Sequence, residues 1–465
     1  MIKLNSRSTL LITLFFCSLF LQSQNISFTA HTVDENFDGP GGIFISDINN
    51  DGYNDILSAG MDANTIAWWQ NDTLAQQDWQ KHIIDSDFNG AISVFVTEID
   101  NDGLVDVLGA SYYGNEIAWW HNGGGSPIQW TKQKIDSGFV RAHEVMGFDI
   151  DSDGDMDVIG VSAQLNIVAW YENDGNSTIT WTKHIIDSLF TGARSIDAAD
   201  IDDDGDIDIV GAALDDDEVA WWRNDGGTPI QWTKFSISTN FMLSHKVQIT
   251  DIDLDGDLDI LGTAYSSGIS WWRNDGGDPI IWEKQLVSGN NSLVIAWAID
   301  LDLDSDNDLV GSAQGSGYMA FWENEDDNSL NWDFNYMESF VGAWPLYYGD
   351  LDNDGDLDLA CGGNESNEIR MYTNDLITSS SISTATDIKF RCLPNPASET
   401  IVIQYFDDSK YPVNIMIYSV SGELLISQNV KSKSDHIDIS MLPKGMYIIS
   451  VNEKGVSERE KLIIN

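Results

Sequence analysis

The sequence predicts an all-β chain: a seven-bladed β-propeller closed by its own N-terminal strand, followed by a small β-sandwich. Three observations predict it. An acidic loop recurs seven times, beginning at Asp47, Glu98, Asp149, Asp200, Asp251, Asp300 and Asp350, at spacings of 51, 51, 51, 51, 49 and 50 residues. Between loops the sequence reads as short strands separated by turns, with no stretch of helical period. After Asp375 the repeat stops and the composition changes.

The fourth repeat shows the elements in order. S-I-D-A-A-D-I enters the loop, D-I-V-G-A-A-L leaves it, D-E-V-A-W-W-R-N-D follows, G-G-T-P turns the chain, and Q-W-T-K-F-S-I-S runs out. That is four short strands per repeat, the unit of a propeller blade. The last repeat ends at Met371-Tyr372-Thr373-Asn374 without an outer strand. The opening segment Ile26 to Asp34 (I-S-F-T-A-H-T-V-D) matches the missing piece, so the N-terminal strand is expected to complete blade 7.

The loop itself is chemically specific. The fullest copies read D-I-D-S-D-G-D-M-D (Asp149 to Asp157) and D-L-D-N-D-G-D-L-D (Asp350 to Asp358). Carboxylates at positions 1, 3, 5 and 9 can converge on one hard cation, and Gly at position 6 allows the sharp turn. In the third loop Asp149, Asp151, Asp153 and Asp157 would supply side-chain oxygens, and Asp155 a carbonyl. Position 12 is Gly160 rather than a bidentate Glu, and a strand follows instead of a helix, so this is no EF-hand.

The same positions give Asp47, Asn49, Asp51 and Asp55 in the first loop, and Glu98, Asp100, Asp102 and Asp106 in the second. The fourth has Asp200, Asp202, Asp204 and Asp208, and the fifth Asp251, Asp253, Asp255 and Asp259. The sixth has Asp300, Asp302, Asp304 and Asp308, and the seventh Asp350, Asp352, Asp354 and Asp358. Up to seven Ca²⁺, one per blade, are expected. The first loop loses a charge at Asn49, the second opens with the longer Glu98, and the sixth has Ser305 where the others have Gly, a strained turn unless the backbone adapts. Solvated acidic turns are the simpler alternative, but a turn alone does not demand the same carboxylate spacing seven times.

On these residues the segment from about 25 to 376 resembles the FG-GAP/VCBS repeat family, whose integrin-type propellers carry D-x-D-x-D-G-x-x-D loops. The resemblance implies the propeller fold and calcium. It does not imply a ligand, because such propellers serve adhesion, lectin-like binding and some lyase chemistry.

Residues 1–23 read as a secretory signal: Lys3 and Arg7, then a twelve-residue apolar run from Leu10 to Leu21, too short to span a bilayer. Cys17 follows two Phe, which argues against a lipoprotein cysteine. No transmembrane segment is expected. The propeller is expected over 24–375 and a polar linker over 376–388. From 389 to 465, L-P-N-P-A-S-E-T-I-V-I-Q-Y, I-Y-S-V-S-G-E-L-L and I-D-I-S-M-L-P-K-G-M-Y-I-I-S-V alternate as strands and turns. Their order resembles the type A C-terminal sorting domain of the type IX secretion system of Bacteroidetes, with Leu393 where that family usually has an aromatic residue. The resemblance implies contact with that secretion machinery, export across the outer membrane, and surface attachment or release.

Charge narrows the partners. The chain has a formal net charge of −52. Between the leader and Asp387 lie twelve Lys and Arg against sixty-five Asp and Glu, a charge of −53. Seven Ca²⁺ would cancel only fourteen of these, so nucleic acid and anionic membranes are poor partners. Beyond the leader only Cys361 and Cys392 remain, in different domains, so no disulfide framework is expected.

Function is sought where the repeats differ. The paired Trp68-Trp69, Trp119-Trp120, Trp221-Trp222 and Trp271-Trp272, and the later Trp130, Trp181, Trp232 and Trp282, recur at equivalent places and read as packing between blades. His31, His82 and His184 recur in outer strands and read as structural. Six residues before each loop stand Gly41, Ile92, His143, Arg194, His245, Val294 and Trp344, followed by Gly42, Ser93, Glu144, Ser195, Lys246, Ile295 and Pro345. This ring is expected at the channel mouth opposite the acidic loops, with Arg141, Trp297, Tyr347 and Tyr348 nearby. Arg141, His143, Glu144, Arg194, His245, Lys246 and Trp344 are the candidate ligand-binding residues, suited to a carboxylate or sulfate on a polyanionic glycan.

The leading reading is a secreted or surface-displayed, monomeric, calcium-stabilised propeller that binds an extracellular glycan or protein without chemistry. The alternative is a polysaccharide lyase acting on a uronate-containing polymer, with Arg194 or Lys246 neutralising the carboxylate, His143 or His245 as base, and Tyr347 or Tyr348 as acid. No lyase motif is present, and no G-x-S-x-G supports a hydrolase. A structural adhesin or matrix component is a third possibility.

Overall fold

The computed structural model describes residues 26–71, 79–289, 292–324 and 331–376. In the C-terminal part it describes 390–393, 400–405, 413–419, 424–431, 436–439, 442, 445–453 and 456–464. The leader over 1–23, Cys17 with it, and all but the first residue of the linker over 376–388 lie outside the described residues. The chain divides into two compact units, Met1–Ser379 and Ser380–Asn465.

The first unit is a seven-bladed propeller of four-stranded antiparallel sheets, with no helix among the described residues. In blade 4 the inner strand Ala193–Ala199 enters the acidic loop and the second strand Asp208–Ala213 leaves it. Third strand Glu218–Asn224 and outer strand Trp232–Ser238 complete the meander. Blade 7 is completed by the strand Phe28–Asp34, which pairs antiparallel with Glu368–Asn374 from Phe28↔Asn374 to Asp34↔Ile369. Head and tail of the propeller thus share one sheet, and the ring closes as the sequence predicts.

Packing between blades explains the tryptophan pairs. Adjacent strand residues point to opposite faces, and each face of a blade meets a neighbour. Trp222 packs with Trp170 and Phe190, edge-on to Phe190 at 4.8 Å, on the side of blade 3. Trp221 packs with Phe241 and Trp272 on the side of blade 5. Gly211, in the second strand, makes room for this: an added Cβ there would lie 2.9 Å from Trp222 Cζ3. The outer strands cap the same stacks, with His82 flat on Trp68 at 4.5 Å and His184 on Trp170 at 4.4 Å.

The inner strands carry one irregularity that positions the site. In each of them the pairing with the second strand slips near its start, between Pro40/Gly42, Ala91/Ser93, Ala142/Glu144, Ala193/Ser195, Ser244/Lys246, Leu293/Ile295 and Ala343/Leu346. The skipped residues are Gly41, Ile92, His143, Arg194, His245, Val294 and Trp344 with Pro345. A bulge leaves its extra residue outside the ladder and re-aims the side chain. The variable ring read from the sequence is therefore a ring of bulges.

The second unit holds a three-stranded sheet (Phe390–Leu393, Thr400–Tyr405, His436–Asp438) and a four-stranded one (Leu424–Val430, Val413–Ser419, Gly445–Glu453, Val456–Ile464). Ile401 and Ile437 of the first share one core with Ile415, Ile417, Val430 and Ile449 of the second. Two sheets over one core make a small β-sandwich.

Candidate functional site

Two features draw chemistry together: the acidic loops and the opposite mouth of the channel. In the loops, the first carboxylate turns back on its own backbone. Asp200 Oδ1 accepts from Asp204 N at 3.1 Å and Oδ2 from Gly205 N at 2.9 Å, and Asp149, Asp251 and Asp350 repeat the pattern. This curls the loop so that carboxylates of Asp149, Asp151 and Asp157 come within 4.8 Å of one another, as do Asp200, Asp202 and Asp204, Asp251, Asp253 and Asp255, and Asp300, Asp302 and Asp304.

The donor set fits a hard cation. Asp100 Oδ1, Asp202 Oδ1, Asp253 Oδ1 and Asp300 Oδ1 are buried oxygens with no hydrogen-bond partner among the described residues. A buried anionic oxygen left without a donor is costly, and a cation in the loop would satisfy it.

Position 9 has a second task. Asp208 Oδ1 accepts from Asn224 N at 2.7 Å and Oδ2 from Ile201 N at 3.4 Å, so one carboxylate ties the loop to the third strand. All seven blades share this clamp. Burial pushes Asp55, Asp157, Asp308 and Asp358 up to about 8, Asp208 and Asp259 to about 7, and Asp106 to about 6, against the hydrogen bonds that favour the anion.

The third-strand Asn is a residue that the sequence reading passed over. Asn122 Nδ2 reaches Ile48 O of the preceding blade, Asn173 reaches Ile99 O, Asn71 reaches Leu351 O and Asn374 reaches Leu301 O, at 2.6–3.3 Å. With Asn224, which reaches Ile150 O at 3.5 Å, these amides stitch the loops of blades 1, 2, 3, 4 and 7 to a neighbour around the ring. Their signal was present: an Asn two places after an aromatic pair in the first six repeats, and after Met371-Tyr372 in the seventh.

Two turn positions are left-handed. Position 6 has φ of 88–103° at the six glycines and 82° at Ser305, so the sixth loop keeps the turn rather than adapting to its residue. Position 4 is left-handed as well, even at Leu254 and Leu303, which no residue preference foretold. Space around the glycines is open, since an added Cβ meets nothing within 4 Å. The penalty at Ser305 is thus backbone strain alone, and Ser305→Gly is expected to stabilise the propeller by about 0.5–1 kcal/mol in urea unfolding. A destabilised variant would show that Ser305 is held by a contact instead.

At the other end lies a cavity of about 270 Å³. Its lining includes His143, Glu144, Arg194, His245, Lys246 and Trp344, with Trp297, Tyr347 and Tyr348. Arg141 is not part of it; its guanidinium sits over Tyr112 at 5.3 Å, on a left-handed backbone. The polar groups form one connected set. Arg194 Nη1 donates to His245 Nε2 at 2.8 Å, and His143 Nδ1 donates to Arg194 O at 2.9 Å. Arginine can only donate, so His245 is neutral with its proton on Nδ1, and His143 keeps Nε2 as an acceptor. Burial, then the Arg194 charge, holds both imidazoles well below their usual pKa.

Lys246 Nζ pairs with Glu144 Oε1 at 2.7 Å and lies over Trp297 at 5.0 Å. Glu144 Oε2 also accepts from Ile196 N. Asp197 is fastened to Ile249 N and Ala198 N, and burial pushes it up to about 6. Phe44, Tyr347 and Tyr348 stack in sequence at 4.3 and 5.3 Å, an aromatic wall on one side. Burial raises both tyrosines, so they stay protonated. The arrangement offers buried cations, neutral hydrogen-bonding rings and flat apolar faces around a single opening.

The fold and loops define an all-β propeller of acidic-loop repeats. The FG-GAP-like repeat family matches residues 47–109, 98–159, 149–211 and 200–262, and the Secretion system C-terminal sorting domain matches residues 391–465. The chain carries FG-GAP-like repeats in a seven-bladed propeller and ends in that sorting domain. It is therefore secreted through the type IX system to the cell surface or extracellular space, and its tail interacts with that machinery. No curated protein matches the sequence. Two similar solved structures are crystal structures of BBS1N in complex with ARL6DN, one soaked with lead and one with mercury. Each is 10% identical, covers 75% of this chain and 96% of its own, and has a TM-score of 0.51 or 0.50. At that identity the likeness shows the fold alone. No helix among the described residues is long and apolar enough to cross a membrane.

Proposed function

We propose that this protein is an extracellular binding module. Its loops take Ca²⁺, up to one per blade, and its channel mouth captures a carboxylate- or sulfate-bearing glycan. The observation that carries the reading is Arg194. It stands on a bulge at the ring's axis, in a segment of charge −53, and its hydrogen-bond partner is a neutral imidazole rather than a carboxylate. Four of its five donors remain for an anion, and Lys246, already paired with Glu144, offers its remaining donors close by. Trp297, Tyr347 and Tyr348 supply the flat faces on which sugar rings pack.

Native gels cast with uronate, sulfated or neutral polysaccharides test this. Retardation is expected with an acidic polymer only, and Arg194→Ala or Lys246→Ala is expected to weaken it by about tenfold to a hundredfold, the worth of one charge-assisted contact. Free migration through every polymer points to a protein partner instead.

One observation favours the lyase alternative. His143 is buried, neutral and holds a free Nε2, as a base must. His245 is less suited, since Arg194 already occupies its Nε2. An unsaturated product from the retained polymer, lost in His143→Ala while retardation persists, would establish it.

A further inference from the structure

Blade 2 differs from the other six at the residue that overlooks its loop. The third strand places one side chain above each acidic cluster, immediately before the stitching Asn: Gln70, His121, Glu172, Arg223, Arg273, Glu323 and Thr373. In blades 4 and 5 the guanidinium turns to outer acids, Arg223 to Asp225 and Asp278, Arg273 to Asp275 and Glu283. In blade 3, Glu172 engages His184. In blade 1 the Gln70 amide reaches its loop at Asp51 Oδ2, 3.4 Å away, and in blade 2 an imidazole turns inward in the same way.

His121 Nδ1 lies 3.0 Å from Asp100 Oδ2 and 3.7 Å from Asp106 Oδ1. The three groups place one ligand atom each within 4.8 Å of the others. The nitrogen is itself buried and forms no well-directed hydrogen bond, and the second Asp100 oxygen, Oδ1, is buried without one as well. Asp106 is fully buried at the floor of the cluster. Two ligands bound to one ion at about 2.0–2.1 Å stand roughly 2.9 Å apart at right angles and 3.4 Å apart at a tetrahedral angle. The 3.0 Å separation falls inside that range, and the 3.7 Å separation lies about 0.3 Å beyond its upper end. Imidazole nitrogen is a poor ligand for Ca²⁺, which takes oxygen, and a good one for first-row transition ions and Zn²⁺.

We propose that the loop of blade 2 is a site for Zn²⁺ or a similar first-row divalent ion, held by Asp100, Asp106 and His121. Calcium is left to the loops whose donors are all oxygen. The inference rests on the loops being metal sites and goes further by giving one of them a different ion. The sequence signal is a single His in a strand position that is Gln, Glu, Arg or Thr elsewhere. It is visible as a ligand only once the third strand is folded over the loop.

The test uses the full-length chain, stripped of metal, then saturated with Ca²⁺ and equilibrated with Zn²⁺. Elemental analysis after gel filtration is expected to find one Zn²⁺ per chain in millimolar Ca²⁺. His121→Gln, which installs the side chain blade 1 carries there, is expected to bind Zn²⁺ at least about tenfold more weakly with calcium content undiminished. His184→Gln, the other His paired with a carboxylate among the described residues, is expected to retain it. A second readout needs no variant. Co²⁺ in the wild-type protein is expected to show a visible ligand-field band that Zn²⁺ abolishes and excess Ca²⁺ does not. Bound calcium with no retained Zn²⁺, a Co²⁺ band erased by Ca²⁺, or an unchanged Zn²⁺ content in His121→Gln would each overturn the inference and leave the calcium reading standing. Absence of both ions would overturn both.

Discussion

Stripping the protein of all its loop cations, whichever ion each loop holds, is expected to lower its melting temperature by about 25 °C. An ion present at a hundred times its dissociation constant stabilises the folded state by about 2.7 kcal/mol per site, and seven such loops contribute roughly 19 kcal/mol. A propeller of about 350 residues unfolds with an entropy near 0.7 kcal/mol/K, which converts that energy to the stated shift. Scanning calorimetry with and without chelator measures it. A drop of only about 4 °C would mean one filled loop, and no drop would remove the metal assignment.

The stripped protein should also respond to pH in an unusual direction. The position-9 carboxylates have folded pKa values near 6 to 8, well above the unfolded value. A raised carboxyl pKa means that the folded state binds the extra proton. Stability is then greatest below about pH 4 for these groups, and is lost as pH rises through 6 to 8. Metal-free protein is expected to melt higher at pH 5 than at pH 8. Calcium-loaded protein should do the opposite, because protons compete with the ion for the same oxygens. Parallel curves with and without calcium would contradict this.

The second large effect is expected from Asp358→Ala, at about 5 kcal/mol of destabilisation. Asp358 Oδ2 accepts from Leu351 N at 2.7 Å and Asp352 N at 3.0 Å, and Oδ1 from Asn374 N at 2.8 Å. Removal leaves three buried N–H groups without an acceptor, each worth about 1–3 kcal/mol. The position matters because Asn374 ends the strand that pairs with Phe28–Asp34 to close the ring. Asp358→Asn, which keeps one acceptor, should lose about half as much. Urea unfolding in chelator separates the two roles of this residue. A loss that persists there belongs to the backbone clamp, whereas a loss seen only with calcium would make Asp358 a metal ligand and nothing more.

Blade number, ring closure, the acidic loops and the small C-terminal sandwich were legible because each is written locally. A four-strand unit repeats every 49–51 residues, its Asp-Gly turns encode their own conformation, and an unmatched outer strand at one end implies its complement at the other. The variable ring at the channel mouth was legible for the same reason, as the place where equivalent positions differ. The loops' left-handed fourth residue was not, because Leu254 and Leu303 have no preference for that conformation and the surrounding turn imposes it.

What only tertiary structure decided is which side chains meet. Glu144 and Lys246 are 102 residues apart, and His143, Arg194 and His245 are each 51 apart, so nothing local pairs them. Closure of the ring sets those distances, and a bulge in every inner strand turns the odd residue out of its ladder and frees it for contact. By itself the sequence determined the blade, since a blade is built from neighbours along the chain. The pairing of Arg194 with a neutral His245, the tie of Lys246 to Glu144 and the inward turn of His121 depend on desolvation and on neighbours from other strands and blades, and those exist only in the folded ring.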